Sequence, residues 1–174
     1  MRKVADAERI RSFMHALGAA ADTPARVYFT GGATAVLMGW RPSTIDIDMR
    51  VFPESDTLYR AIPRLKEELH LNVELASPAD FIPEIPDWET RSLFITREQK
   101  VSFYHYDPYA QALAKIERRH AQDIEDVRQF IRSGLVDPRR ALEYFDEIEA
   151  RLHFYPAIDP ASFRKAAEEL LGKS

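Results

Sequence analysis

The sequence has no cysteine among its 174 residues. This absence excludes disulfide bonds, zinc sites with thiolate ligands and a cysteine nucleophile, and it leaves Asp, Glu and His as the plausible metal ligands. An excess of basic charge is also lacking, because 24 Lys and Arg residues stand against 28 Asp and Glu residues, for a net charge of −4. No general basic field therefore indicates nucleic-acid binding, although a local basic patch for an RNA substrate is compatible with this balance.

Long apolar runs are missing as well. No segment approaches the roughly 18 consecutive apolar residues of a membrane-spanning helix. The N-terminal stretch MRKVADAERIRSFMHALG is charged throughout and lacks the apolar core of a signal peptide. We therefore expect a soluble, cytoplasmic protein without a membrane partner. Hydrophobic residues make up 45% of the chain, which is enough for a buried core in one compact domain.

Hydrophobic periodicity predicts a mixed α/β half followed by an all-helical half. The elements expected in the first half are a helix over 4–20, a strand near 26–30, a short helix ending near 39, a strand over 44–51, a helix from 55 to 69 that is kinked or divided at Pro63, a strand over 71–75, an ordered loop over 77–90 and a hairpin around 97–99. The helices expected in the second half are 108–119, 121–133, 138–152 and 160–172. We expect residues 1–106 to form the α/β core and residues 107–174 a helical region that makes one compact unit with it.

Two aspartates stand inside the predicted strand TIDIDMRV. The apolar residues Ile45, Ile47, Met49 and Val51 occupy one phase of this strand, and Thr44, Asp46, Asp48 and Arg50 occupy the other. Residues i and i+2 of a strand project to the same side, about 6.5–7 Å apart. Since two adjacent carboxylates repel each other unless a cation compensates them, the pair is a candidate site for Mg²⁺ or Mn²⁺. The alternative is an exposed polar strand face.

A pair of glycines, Gly31 and Gly32, precedes this strand and lies between Thr30 and Thr34. Glycine lets the main chain approach an anion closely, and the start of the following helix offers N–H groups to phosphate. Together with the acidic pair, the segment predicts a site that holds a nucleoside triphosphate for in-line transfer. A plain turn is the alternative for the glycines. Arg50, and Arg41 before it, are candidates for contact with phosphate or with the acceptor.

In combination, TGGATAV and TIDIDM resemble the signature of the nucleotidyltransferase superfamily of DNA polymerase β. Within that superfamily the chain is similar to small bacterial nucleotidyltransferase-like proteins, including the abortive-infection toxins of toxin–antitoxin pairs. The resemblance covers roughly residues 27–130. It implies an α+β fold, with a mixed sheet flanked by helices and followed by a C-terminal helical region. It also implies Mg²⁺-dependent transfer of a nucleoside monophosphate from an NTP to a hydroxyl acceptor.

The resemblance further implies individual roles. Asp46 and Asp48 would be catalytic metal ligands, and Glu74, in NVELASP, matches the family's third acid, which supports the metal or deprotonates the acceptor. The residues that would bind the nucleotide are Thr30, Gly31, Gly32, Thr34 and Arg50. The alternative for Glu74 is a solvent-facing residue of an edge strand.

A second match to the related toxins lies in YAQALAKIERRHAQDIEDV. Lys115 matches their helical lysine, whose ammonium would neutralise triphosphate charge and act in catalysis. Asp123 and Asp126 match their Asp-x-x-Asp pair and would support that lysine or Arg119. The alternative is a helix surface with ordinary ion pairs. His105 is expected to be a strand or boundary histidine rather than a ligand. The nearby aromatic residues are expected in the core rather than stacked on a base, and they are Phe103, Tyr104, Tyr106 and Tyr109.

Three hypotheses follow from these features. The first is a nucleotidyltransferase whose acceptor is an RNA, a protein or a small molecule. The second is a catalytically inactive module that kept the fold and binds or regulates a partner. The third and weakest is a metal hydrolase, in which the glycines would have no task. A toxin or antitoxin partner, or a homodimer through the C-terminal helices, fits either of the first two.

Overall fold

The computed structural model describes residues 3–172 and has the α+β architecture expected from the sequence. The chain divides into two compact units. The first unit comprises the described residues up to Ser77 together with Ser92–Tyr106, and the second comprises Pro78–Arg91 together with the residues from Asp107 onward. The segment that was expected only as an ordered loop therefore belongs with the C-terminal helices.

A five-stranded mixed sheet forms the centre of the first unit. The strands of this unit, in chain order, are β1 (Ala5–Asp6), β2 (Ala25–Thr30), β3 (Ser43–Thr44), β4 (Asp46–Val51), β5 (Asn72–Leu75), β6 (Leu93–Glu98) and β7 (Val101–His105). The large sheet has the order β5-β4-β2-β7-β6, and β1 pairs separately with β3. β2 runs antiparallel to β4 and parallel to β7, while β4 is parallel to β5 and β6 is antiparallel to β7. The predicted hairpin is confirmed.

Three helices accompany this sheet: α1 (Ala7–Ala20), α2 (Gly31–Leu37) and α3 (Asp56–Leu69). Alternate residues of the central strands point to one face, where they form a core with the apolar stripes of α1 and α3. The fully buried members of this core include Phe13, Leu17, Val27, Phe29, Ile47, Met49, Leu58 and Phe103. The intervening strand residues, among them the two aspartates of β4, therefore project from the opposite face of the sheet.

Two apolar residues of the predicted strands are exposed. Ile45 is 72% exposed because the predicted strand over 44–51 is interrupted there: Thr44 pairs with Ala5, whereas β4 begins at Asp46 and pairs with β2. The alternation therefore does not run through Ile45. Leu75 is 53% exposed because it ends the outermost strand of the sheet.

α3 is one continuous helix and not two short ones. Ser55 caps its start, since the Ser55 hydroxyl accepts a hydrogen bond from the N–H group of Leu58 at 3.3 Å. Pro63 lies inside the helix at an exposed position, between the buried residues Ile62 and Leu65. Packing of these neighbours holds the helix together across a residue that lacks the main-chain donor.

The second unit is helical. Its helices are α4 (Trp88–Arg91), α5 (Pro108–Arg118), α6 (Ala121–Arg132), α7 (Pro138–Glu149) and α8 (Pro160–Leu171). The four helices predicted for this half are confirmed, each ending one to three residues earlier than expected. α5 and α7 begin with proline, and the preceding Asp107 and Asp137 accept hydrogen bonds from main-chain N–H groups of the first turn. No helix between residues 3 and 172 is both long and apolar enough to cross a membrane.

Candidate active site

The carboxylate of Asp48 lies directly beside the first glycine. Thr30, the last residue of β2, pairs in register with Asp48 of β4, and α2 begins at the next residue, Gly31. Gly31 has φ +61°, in the left-handed region that favours glycine. A Cβ atom added to Gly31 would lie 3.2 Å from Oδ2 of Asp48. The glycine bend and one acid of the Asp-Ile-Asp motif are therefore neighbours.

Gly32 allows a different close approach. A Cβ atom at Gly32 would lie 2.0 Å from Oγ1 of Thr44 and 2.6 Å from its Cβ, so no larger side chain fits there unless Thr44 moves. The Thr44 hydroxyl also donates a hydrogen bond to the carbonyl oxygen of Asp46 at 3.1 Å. Thr44 thus joins the glycine bend to the start of β4, a role that sequence reasoning missed. The sequence feature that could have indicated this role is that Thr44 occupies the same phase of the predicted strand as Asp46 and Asp48.

β5 places further polar side chains next to the acidic pair. Asn72 pairs in register with Asp46, and Glu74 pairs in register with Asp48. The side-chain amide of Asn72 donates a hydrogen bond to Oδ1 of Asp46. Asp46 and Asp48 are half-buried, and Glu74 is exposed. Asn72 is a second site residue that sequence reasoning did not assign, and it orients the carboxylate of Asp46.

The donor chemistry of this acidic pair suits magnesium. Within residues 3–172, no three Asp, Glu or His side chains form a ready set of ligands for a metal ion. Mg²⁺ characteristically takes one or two protein carboxylates and fills its remaining positions with water and substrate phosphates. Two half-buried carboxylates beside a glycine bend fit that mode of binding, in which the nucleotide completes the coordination.

Thr34 lies inside the unit rather than on its surface. It is 1% exposed, and its hydroxyl lies 3.3 Å from the carbonyl oxygen of Phe29 and 3.1 Å from Nδ1 of His105. Burial lowers the pKa of His105 to about 4, so its imidazole is neutral near pH 7. Thr30 is 9% exposed, and its side chain forms no capping hydrogen bond with α2. The predicted contacts of both threonines with a nucleotide stay predictions.

Arg50 continues the site face of β4 beyond Asp48. Its guanidinium lies 5.0 Å from the centre of the Phe52 ring, and its Nη1 atom donates to the Tyr106 hydroxyl at 3.4 Å. Arg50 pairs in register with Tyr28, whose ring stacks on Tyr104 at 4.9 Å. On this face of β4, the acidic side chain of Asp48 is therefore followed two residues later by a cationic side chain, Arg50, that is surrounded by aromatic rings.

Comparison with known proteins gives one match. The profile of a family described as "nucleotidyltransferase of unknown function" (DUF6036) matches residues 6–163. The chain belongs to this family. No curated protein and no solved structure matches the chain. The family supports nucleotidyltransferase activity as a class, and the matched segment includes every residue assigned to the site from the sequence.

In the second unit of this nucleotidyltransferase family member, Lys115 belongs to a buried ion-pair cluster. Its Nζ atom lies 2.7 Å from Oδ2 of Asp126 and 3.7 Å from Oδ1 of Asp123. Arg118 donates two hydrogen bonds to Asp123, at 2.7 and 2.6 Å. Burial raises the pKa of Asp123, but the hydrogen bonds of Arg118 and the charge of Lys115 outweigh this effect and lower it.

This cluster joins α5 to α6. Lys115, Asp123 and Asp126 are 7%, 2% and 3% exposed, so the two aspartates are not the solvated surface ion pairs of the alternative interpretation. Both aspartates form ion pairs with Lys115. The role of Lys115 in neutralising a triphosphate stays a prediction.

Proposed function

We propose that the chain transfers a nucleoside monophosphate from an NTP to a hydroxyl acceptor, with Mg²⁺ or Mn²⁺ as cofactor. The observation that carries the proposal is the position of the Asp48 carboxylate next to the glycine bend. Phosphate binds to main-chain N–H groups, whereas a divalent cation binds to carboxylates. At Gly31 and Asp48 the two kinds of group are neighbours, since a Cβ on Gly31 would lie 3.2 Å from Oδ2 of Asp48.

Asp46 and Asp48 hold the metal ion in this proposal, and Asn72 fixes the carboxylate of Asp46 through its amide. The ion supplies Lewis-acid stabilisation of the negative charge on the phosphate oxygens. Gly31 and Gly32 bind the triphosphate through the main chain, because a polyphosphate can approach closely only where no Cβ intervenes. Arg50, two residues beyond Asp48 on the same face, contacts the nucleotide on the side away from the glycines.

The reaction is a displacement at the α-phosphorus. The acceptor oxygen forms a bond to that phosphorus, the bond from the phosphorus to the oxygen bridging to the β-phosphate breaks, and pyrophosphate leaves. The acceptor's hydroxyl proton goes to Glu74, whose exposed carboxylate pairs in register with Asp48 on the neighbouring strand. Catalysis by this site is a matter of position and charge compensation, as in other phosphoryl-type transfers.

The test is transfer from labelled NTPs in the presence of Mg²⁺, with total cellular RNA and total cellular protein offered as acceptors. We expect label in one of the two fractions, and none with Asp46→Asn combined with Asp48→Asn. The matched control combines Asp22→Asn with Asp56→Asn, which removes the same charge at two exposed positions outside the site. Undiminished transfer by the site variant would refute the proposed mechanism.

The similarity to abortive-infection toxins supports a place in a toxin–antitoxin pair. Expression in a bacterial host tests this context: the wild-type chain should arrest growth, and the variant that lacks both site aspartates should not. Arrest by both proteins to the same extent would favour a partner-binding module that does not need the acidic pair.

A further inference from the structure

His105 packs behind the glycine bend, on the core side of the sheet. It ends β7, where it pairs in register with Phe29 of β2, and only 7% of its surface is exposed. Its Nδ1 atom contacts the Thr34 hydroxyl, which also contacts the carbonyl oxygen of Phe29. These three residues therefore connect two adjacent strands to the first turn of α2, the helix that begins at Gly31.

The Thr34 hydroxyl has one hydrogen and can serve either neighbour. If it donates to the carbonyl oxygen of Phe29, its oxygen accepts from a proton on Nδ1 of His105. If Nδ1 carries no proton, the hydroxyl donates to Nδ1 instead. Both tautomers of the neutral imidazole, the form that burial favours, therefore form a hydrogen bond with Thr34.

We propose that His105 is a positioning residue for nucleotide binding. Through the Thr34 hydroxyl it fixes the first turn of α2 against β2, and so it sets the direction in which the main chain of Gly31 and Gly32 faces the phosphates. This inference rests on the proposed function. It gives Thr34 a task at the site that is compatible with its burial, because the threonine acts from behind the glycine bend instead of touching phosphate.

The hydrogen bond between His105 and Thr34 can be tested with conservative substitutions. The His105 ring lines a cavity of about 310 Å³ with Met14, Leu37 and Ile95, so side chains of similar size fit in its place. His105→Leu removes the hydrogen-bonding nitrogen and keeps an apolar side chain, whereas His105→Asn keeps an amide that can donate or accept a hydrogen bond close to the Nδ1 position. Thr34→Val keeps the shape of the threonine and removes its hydroxyl. Val101→Ala is the matched control, since it alters a buried residue of the same strand away from Thr34.

The first measurement is the affinity of each protein for a non-hydrolysable NTP with Mg²⁺, by titration calorimetry. We expect His105→Leu and Thr34→Val to weaken binding by roughly tenfold each, as for the loss of one hydrogen bond. The double variant should be no weaker than either single variant, because both remove the same interaction. His105→Asn should stay within about threefold of the wild type, and Val101→Ala should bind as the wild type does.

The second measurement, hydrogen exchange of the nucleotide-free protein, needs no ligand. We expect the main-chain amides of residues 35–38, which bond to the carbonyl oxygens of the first turn of α2, to exchange faster in His105→Leu and Thr34→Val than in the wild type and in Val101→Ala. If the wild type does not bind Mg²⁺ with the nucleotide, the proposed function is wrong and the inference falls with it. If the wild type binds and His105→Leu matches it in affinity and exchange, the inference alone is wrong. Equal weakening by Val101→Ala would also overturn it.

Discussion

The carboxylate of Asp48 lies beside the first residue of α2, Gly31: a Cβ on Gly31 would be 3.2 Å from Oδ2 of Asp48. Gly31 also has φ +61°. The position thus requires glycine for two separate reasons, since its main chain is left-handed and the space that a side chain would fill borders the acidic pair. The two reasons are separable by experiment.

Replacement of Gly31 by Ala should destabilise the protein by about 1–2 kcal/mol through the left-handed conformation and should also abolish Mg²⁺-dependent binding of NTP. The second effect arises because the added methyl group lies against the carboxylate of Asp48. Gly39→Ala is the matched control, because Gly39 has φ +82° and nothing lies within 4 Å of the position of its Cβ. Urea unfolding and calorimetry should show similar stability losses in both variants and a binding loss in Gly31→Ala alone. Equal binding by both would contradict the assigned role of the bend.

The contact between Gly32 and Thr44 gives a rescue experiment. Gly32→Ala should lower the free energy of unfolding and impair nucleotide binding, because its methyl group would overlap Oγ1 and Cβ of Thr44. Addition of Thr44→Gly removes both of those atoms and should recover much of the binding. Denaturant unfolding and NTP titration of the single and double variants measure the coupling. If Thr44→Gly worsened Gly32→Ala additively, the close packing would not be the cause.

Lys115 and Asp126 form a buried pair, so we expect the loss of one partner to cost about 3–5 kcal/mol of stability. Asp126→Ala tests this cost by urea unfolding. Lys115→Met combined with Asp126→Leu should restore most of the stability, because a buried ion pair is replaceable by apolar side chains of similar volume. Glu68→Gln is the comparison: it removes the partner of Arg64 in an exposed ion pair, which contributes about 1 kcal/mol or less.

The same double variant decides the task of Lys115. A stable protein without transfer activity would show that the ammonium acts in the reaction, as the resemblance implies. A stable protein with full activity would show that the cluster only joins α5 to α6.

His105 should make stability depend on pH. Its pKa is lowered to about 4 from an ordinary value of 6.5, so between these values the unfolded chain binds a proton that the folded chain does not. The free energy of unfolding should therefore fall as the pH falls from about 6.5 to about 4, by roughly 3 kcal/mol in total. Above pH 7 His105 is largely neutral in both the folded and the unfolded chain, so it no longer makes stability depend on pH.

The difference between wild type and His105→Asn isolates this titration from those of other groups, including Glu98, which lines the same cavity. Unfolding curves at several pH values should diverge between the two proteins only in this window. Parallel pH profiles would mean that folding does not lower the pKa of His105.

The local parts of the site were predictable from the sequence. Gly31 begins a helix, and Asp48 lies on the strand that pairs with the one before that helix. The segment that joins the two residues is short, and its strands and glycines are visible in the periodicity of the sequence. The C-terminal helices were equally clear, because proline at the first position and Asp before it mark helix starts without reference to the rest of the chain.

Long-range pairing explains what the sequence could not provide. Thr34 and His105 are 71 positions apart, and nothing local indicates that their side chains share a hydrogen bond. Ile45 has the strand-forming residues of its neighbours, and only the change of partner strand on either side of it determines its exposure. The assignment of Pro78–Arg91 to the second unit likewise depends on distant contacts, such as the ion pair of Arg91 with Asp107.

The most direct test of the central claim is a crystal structure of the chain with Mg²⁺ and a non-hydrolysable NTP. We expect a metal ion bound to oxygens of Asp46 and Asp48 at about 2.0–2.1 Å, with the triphosphate against the main chain of Gly31 and Gly32. A triphosphate bound elsewhere on the protein, or bound at the glycines without a metal ion on the two aspartates, would contradict the account.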